Sequence, residues 1–191
     1  MKTIKVKWEE IMKLSTKSVV AIGIGAALYG TLSAVAIPVG PNTSFRLAVA
    51  LLTIFGAMFG PLVGFLVGFI GHALNDLIMW GSVWWSWVFL SAMIGLFAGF
   101  INLDPTFSID EGKVQKKHLI KMYIYSVMGM VAAGAVAYVG DVFFYGEPGD
   151  KVWLQIILAT ITNFGVTALV GIPVVSSIAK RKQKHNNLEV E

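Results

Sequence analysis

Hydrophobic residues are gathered into six runs, which short polar or glycine- and proline-rich segments separate. A helix that crosses a bilayer needs roughly 20 mostly apolar residues, and most of the runs approach that length. Pro38 ends the first run, and Gly60-Pro61 separates the second from the third. The pattern predicts an all-α integral membrane protein, with one six-helix membrane domain over residues 1–191. The predicted spans cover residues 18–37, 45–59, 62–80, 84–101, 119–139 and 153–178.

The positions of the basic residues predict how these spans are oriented. Of the fifteen Lys and Arg residues, all but Arg46 and Lys151 lie in three short stretches. The stretches hold Lys2, Lys5, Lys7, Lys13 and Lys17; then Lys113, Lys116, Lys117 and Lys121; and finally Lys180, Arg181, Lys182 and Lys184. With six spans, all three stretches fall on one side of the bilayer, which the positive-inside rule makes the cytoplasm. We therefore expect a multi-pass protein of the cell membrane with both termini in the cytoplasm.

Composition supports a membrane protein and excludes several function classes. Hydrophobic residues make up 56% of the chain and charged residues 14%, whereas soluble domains carry about 25% charged residues. The chain has no Cys, so it has no disulfide and no cysteine metal site. The polar segment 102–118 is too short for a nucleotide-binding domain, and no Walker-type phosphate loop is present. If the protein moves a solute uphill, the energy must come from another chain.

Ionisable residues inside a predicted span mark a candidate binding site. His72, Asn75 and Asp76 have helical spacing that places them on one face, and Trp80 extends this face outward. Such groups are costly at membrane depth and usually face a bundle interior or a watered cavity. A purely structural His–Asp hydrogen bond is the alternative. We expect a substrate site in the outer half of the bundle, and its other predicted members are Asn42, Arg46, Trp84, Trp87, Tyr138 and Asn163.

Several of these candidates also have simpler explanations. Arg46 could extend its charge to the lipid headgroups, and the tryptophans could be interfacial anchors. In the last span, Asn163 is a better candidate than the neighbouring threonines, because an amide in the middle of a span needs partners. In the first span, small residues recur as two pairs four positions apart, Ala21 with Gly25 and Gly23 with Ala27. Such faces let membrane helices approach closely, so these four residues are candidates for docking a partner helix.

Several local motifs together resemble a known family. They are Ala21-Ile-Gly-Ile-Gly-Ala-Ala-Leu-Tyr29, Pro41-Asn42-Thr43, Phe59-Gly-Pro-Leu-Val-Gly-Phe65, Gly71-His-Ala-Leu-Asn-Asp76 and Trp84-Trp85. In combination they resemble the S component, the substrate-binding membrane subunit, of energy-coupling factor (ECF) transporters. The resemblance is to the riboflavin-type group, in the subset often linked to hydroxymethylpyrimidine, a thiamine precursor. It covers the first hundred residues closely and the remainder in topology and length.

The resemblance implies a function and a set of partners. An S component captures a vitamin or vitamin precursor outside the cell and docks on a membrane scaffold subunit, which two cytoplasmic ATPases drive. Hydroxymethylpyrimidine is the expected substrate, with riboflavin and pyridoxine as alternatives. The family's docking feature is a small-residue face on the first helix, which here corresponds to Ala21, Gly25 and their neighbours. No cofactor, metal, nucleic acid or enzymatic activity is implied.

Two other function classes remain open from the residues alone. His72 and Asp76 could serve as acid and base in a membrane enzyme, although no second catalytic group accompanies them. The same pair could relay protons in a transporter that acts without partners. A metal site at this pair would lack further ligands, because His118 and His185 lie on the predicted cytoplasmic side.

Overall fold

The computed structural model describes residues 14–188, and the predicted N-terminal basic residues Lys2, Lys5, Lys7 and Lys13 lie outside this range. The described chain is mainly helical with a small β-hairpin. Its elements are α1 (Thr16–Ser33), β1 (Ala36–Gly40), β2 (Thr43–Arg46), α2 (Val49–Phe59), α3 (Pro61–Trp80), α4 (Trp85–Gly99), α5 (Lys116–Val139), α6 (Gly149–Val166) and α7 (Ile172–Leu188). A 3-10 turn, Phe100–Leu103, follows α4. π-Helical turns extend α5 over Gly140–Phe144 and join α6 to α7 over Thr167–Gly171.

Within residues 14–188, four helical segments are long and apolar enough to cross a bilayer. They are Pro61–Trp80, Trp85–Leu103, Lys116–Phe144 and Gly149–Asn187. Helix α2 has only 11 residues, or about 16 Å at 1.5 Å per residue, which is about half of a bilayer's hydrocarbon core. Helix α1 has 18 residues, with Lys17 in its first turn, and is not among the four. The protein is therefore a multi-pass, mostly helical membrane protein.

The first two predicted spans differ from the structure at their junction. The first was expected to continue to residue 37, but α1 ends at Ser33 and Ala36–Gly40 forms a strand instead. Strand β1 pairs with β2 in antiparallel register, with Ala36 opposite Arg46, so α2 begins at Val49 and not at residue 45. Pro38 explains the change, because a proline disfavours the helical conformation of the residue before it. Asn42, with φ 47°, makes the turn.

Helices α3 and α4 form the closest helix pair. Gly64 and Gly95 face each other, and a Cβ on either would overlap the backbone carbonyl of the other. One turn along α3, a Cβ on Gly68 would lie 2.6 Å from the carbonyl oxygen of Ser91. Close approach of this kind lets membrane helices pack through van der Waals contact where no hydrophobic effect drives them together. This contact fixes the register of the two helices, and so decides which residues of α3 lie opposite which residues of α4 at the hairpin end of the bundle.

The end of the bundle opposite the hairpin, here the basal end, is closed by the segment between α4 and α5. Asp104 accepts from Lys121 Nζ at 2.6 Å and from Thr106, which also contacts His118 Nε2 at 2.9 Å. The hydrogen bond from Lys121 holds the pKa of the Asp104 carboxyl well below its usual range.

The basal end also collects parts of all three basic stretches. Lys17 lies 3.7 Å from Asp110, and Asn186 donates to the Asp110 carbonyl at 3.2 Å. The start of α1, the segment before α5 and the end of α7 therefore meet at one end of the bundle.

Substituting Gly95 by Ala tests the α3–α4 contact. The new Cβ would collide with backbone atoms of Gly64, and overpacking of this kind typically costs about 1–3 kcal/mol. We expect a lower midpoint of thermal unfolding for Gly95→Ala in purified, detergent-solubilised protein. Gly23→Ala is the matched control, because no heavy atom lies within 4 Å of a Cβ at Gly23. Equal stability of Gly95→Ala and wild type would contradict this packing.

Candidate substrate-binding site

A cavity of about 480 Å³ lies at the hairpin end of the bundle. This volume is within the range of small-molecule pockets, and polar and aromatic side chains share its walls. The lining residues are Tyr29, Pro38, Gly40, Asn42, Thr43, Ser44, Arg46, Val49, His72, Asp76, Trp80, Ser82, Trp84, Trp87, Leu90, Ser91, Asp141, Glu147, Lys151, Gln155, Ala159 and Asn163. They come from the hairpin, from α1, α2, α3, α4 and α6, from the π-helical turn after α5, and from the connecting segments on either side.

Eight of the ten predicted site residues line this cavity, and two do not. The eight are Asn42, Arg46, His72, Asp76, Trp80, Trp84, Trp87 and Asn163. Asn75 is turned toward α1, where its Nδ2 donates to the Gly30 carbonyl at 3.2 Å. It lies about 100° around the helix from Asp76, so the two side chains face different neighbours. Tyr138 instead packs on Trp153, with ring centroids 5.0 Å apart, in an apolar groove between α5 and α6.

A chain of polar contacts centred on His72 crosses one wall of the cavity. His72 Nδ1 lies 2.6 Å from Ser91 Oγ, which lies 3.0 Å from the Tyr29 hydroxyl. On the other side of the ring, Nε2 lies 3.4 Å from an Arg46 nitrogen and 3.4 Å from Asp76 Oδ1. His72 and Asp76 are 4% and 5% exposed. Helices α1, α3 and α4 and the hairpin thus share one buried network.

Two carboxylates hold the start of α4. The backbone N–H of Trp84 donates to Asp76 Oδ2 at 3.0 Å. Asp141, in the π-helical turn after α5, accepts from the indole nitrogens of Trp84 and Trp87 at 2.7 and 2.9 Å, and from the Ser86 hydroxyl. Negative charge at a helix N-terminus is favourable. Trp85 points elsewhere, with its ring 5.8 Å from that of Phe69.

The sequence interpretation did not assign several lining residues to the site. Gln155 is 4% exposed, and its Nε2 donates to the Pro41 carbonyl at 3.0 Å, which ties α6 to the hairpin turn. Nearby, Lys151 Nζ lies 2.5 Å from Glu147. A signal for Gln155 was present, because it shares one face of a mostly apolar helix with Asn163, eight residues later. Tyr29 and Ser91 carried no comparable signal.

Asn163 differs from the other buried polar residues of the cavity. Its side chain is nine-tenths buried, and no residue in the described part of the chain forms a hydrogen bond with its amide. Its amide atoms are not among the fully buried ones, so they remain accessible from the cavity. The carboxamide faces the cavity, where both its donor and its acceptor are open to a ligand.

The predicted docking residues of α1 divide between two faces. Ala21 and Gly25 are buried, and a Cβ on Gly25 would lie 2.8 Å from Val67 and 2.9 Å from Phe55. These two residues therefore pack inside the chain, and the prediction that they contact a partner is not supported by this structure. Gly23 and Ala27 follow Ala21 and Gly25 by two residues each, or about 200° around the helix, and are exposed.

A helical membrane protein with a cavity of this size and mixed polar and aromatic lining is suited to bind a small molecule. Residues 13–180 match the family model described as ECF-type riboflavin transporter, S component. The chain belongs to this family. It is 41% identical over 178 residues to a UPF0397 protein of Lactobacillus johnsonii (strain CNCM I-12250 / La1 / NCC 533), an alignment that covers 92% of this chain and 95% of that protein.

Membership of the family establishes the class of function. The protein is the substrate-binding subunit of an ECF transporter and not an enzyme. The acid–base role considered for His72 and Asp76 is therefore wrong. The family also implies association with the ECF scaffold and ATPase module and a vitamin-like substrate.

Replacing Gln155 by Ala tests the tie between α6 and the hairpin. The variant loses the hydrogen bond to the Pro41 carbonyl, so we expect faster amide hydrogen exchange over residues 36–46 by mass spectrometry. Thr160→Ala is the control, because Thr160 faces the groove between α5 and α6. Unchanged exchange in Gln155→Ala would show that other contacts hold the hairpin.

Proposed function

We propose that this S component captures a planar, nitrogen-containing vitamin or vitamin precursor, with hydroxymethylpyrimidine as the first candidate. The observation that carries the proposal is the unpaired carboxamide of Asn163 in a cavity with tryptophan walls. A carboxamide offers two donors and one acceptor oxygen. It therefore complements a heteroaromatic ring that bears a ring nitrogen beside an amino group.

The remaining polar groups suit the substituents of such a ligand. Planar rings prefer offset or edge contacts with aromatic side chains, which Trp84 and Trp87 supply. A hydroxymethyl group would meet the His72–Asp76 part of the wall, where a carboxylate accepts and Arg46 donates. A ligand that lacks the matching group leaves buried protein partners unpaired, which is where discrimination is large.

Riboflavin and pyridoxine remain the alternatives. Both combine a planar ring with ring nitrogens and hydroxyl groups, and a cavity of about 480 Å³ has more room than one pyrimidine ring fills. The extra volume favours a larger ligand or a ligand with ordered water. The class of substrate, a polar heteroaromatic compound, is common to all three candidates.

We also propose six bilayer crossings, with the hairpin end outside and both termini in the cytoplasm. The basic residues support this orientation, because the described members of the three stretches lie toward the basal end. Helix α2 would then form a short span beside the long ones. Gly23 and Ala27 offer the exposed small-residue face of α1 to the scaffold subunit, and two ATPases supply the energy.

Ligand binding to the purified protein tests the substrate proposal. Three tryptophans line the cavity, so we expect tryptophan fluorescence to change on titration with one of hydroxymethylpyrimidine, pyridoxine or riboflavin. A saturable response to hydroxymethylpyrimidine alone would support the first candidate. No response to any of the three would contradict the substrate class.

The Asn163→Ala and Asp76→Ala variants test the placement of the ligand. Each removes a group that would pair with the ligand in a dry site, so we expect about ten- to a hundredfold weaker binding, with expression retained. Thr162→Ala is the control, because the Thr162 hydroxyl bonds to the Leu158 carbonyl within its own helix. Unchanged affinity in both variants would show that the ligand does not bind in this cavity.

ATP dependence tests the proposal that this chain binds the substrate and that separate ATPase subunits supply the energy for uptake. In liposomes, we expect uptake only when the scaffold and ATPase subunits accompany this chain and ATP is present on their side. Uptake by the chain alone, driven by a proton gradient, would instead support a transporter that acts without partners.

A further inference from the structure

Asp141 is a buried acidic side chain of the cavity wall whose hydrogen bonds all go to protein groups near the start of α4. Asp141 is 2% exposed and accepts from Trp84, which caps the N-terminus of α4, and from Ser86 and Trp87 in its first turn. A carboxylate has about four acceptor sites, so most of its capacity is already used. The helix N-terminus adds favourable electrostatics, which accounts for a buried acid with no Lys or Arg partner in the described chain.

The backbone around Asp141 is shaped for this contact. Gly140 begins the π-helical turn, and a Cβ at this position would lie 2.5 Å from Ser86 Cβ. Only a residue without a side chain lets Ser86 approach so closely. The extra residue of the π turn points Asp141 at the start of α4. Single π turns inside α-helices occur frequently at functional sites.

The bonds to Asp141 fix the orientation of two indole rings. The N–H edges of Trp84 and Trp87 both point at the carboxylate, so neither edge is free for a ligand. One face of Trp84 stacks on Tyr145, with centroids 4.6 Å apart and an angle of 20° between the planes. The backbone of Trp84 is held separately by Asp76. Both indoles nevertheless line the cavity, so they present apolar ring surface to it.

We propose that Asp141 is a positioning residue that sets the aromatic wall of the cavity, and that it acts on the ligand through Trp84 and Trp87. This role rests on the function proposed above. Charge-assisted hydrogen bonds are about twice as strong as neutral ones. The rings of Trp84 and Trp87 are therefore held in their orientation before a ligand enters. A preset wall lowers the cost of ordering side chains on binding. The selectivity for a flat ring then depends on a residue outside direct contact with it.

Asp141→Asn tests this role with little change in size. Its amide has one oxygen, and its NH2 group faces donors, so it cannot accept from both indoles. We expect an altered near-UV circular dichroism spectrum in the ligand-free protein and about tenfold or greater loss of affinity for the compound that wild type binds. Asp150→Asn is the matched control, because it removes the same charge from an exposed position at the same end of the bundle. The control should change neither readout.

A double-mutant cycle separates positioning from direct contact. In a Trp84→Phe, Trp87→Phe background the indole N–H groups are gone, so we expect Asp141→Asn to cause little further loss of affinity. An undiminished loss in that background would overturn the proposal, since Asp141 would then act on the ligand itself. An unchanged near-UV spectrum in Asp141→Asn would also overturn it.

Two further readouts keep the test decisive. If Asp141→Asn does not fold, Trp87→Phe alone retains an aromatic ring and removes one bond to Asp141. Wild-type affinity in that variant would overturn the proposal, and an approximately tenfold loss would support it. If wild type binds none of the candidate compounds, the proposed substrate fails, whereas the ligand-free spectrum still decides whether Asp141 sets the wall.

Discussion

The backbone contact between α3 and α4 is the constraint on which the site depends. From Gly64 opposite Gly95, each turn along α3 toward the hairpin is matched by about one turn back along α4. This register brings Gly68 and His72 to Ser91, and Asp76 to the start of α4. A larger residue at the glycine contact would separate the helices along their whole length. The polar network is therefore set by a contact that contains no polar side chain.

Most buried polar groups in the described part of this bundle form hydrogen bonds with other protein groups. His72 uses both ring nitrogens, Asp76 holds a backbone N–H, and Gln155 holds a carbonyl of the hairpin turn. An unpaired polar group is expensive where water is excluded, so such pairing stabilises the bundle. Among the described residues, the Ser33 hydroxyl is buried without a partner, and the Asn163 carboxamide lies unpaired at the cavity wall, as a binding site requires. Asn163 therefore differs from the paired residues of the cavity, since its side chain is open to a ligand and makes no bond within the described fold.

The sequence predicted the chemistry of the site better than its geometry. His72, Asp76 and Asn163 stood out because polar residues are rare in apolar spans, and all three line the cavity. Burial on a given side of a helix depends on which neighbours it meets, and periodicity does not supply this. Asn75 and Gly25 were therefore assigned to the wrong faces. The hairpin was not predicted because its strand continues the apolar run of α1, and Gln155 was not predicted because an amide near the end of a span can be solvated without a partner.

The two carboxylates at the start of α4 show why fold and function are hard to separate in so small a bundle. Asp76 holds the backbone of Trp84, and Asp141 holds its indole. Both acids therefore stabilise a helix terminus and shape the cavity with the same bonds. A loss of binding on substitution of either acid does not by itself identify a ligand contact. Asn163 contributes no hydrogen bond of its side chain to the described fold, so a change there reports on the ligand more directly than a change at either acid.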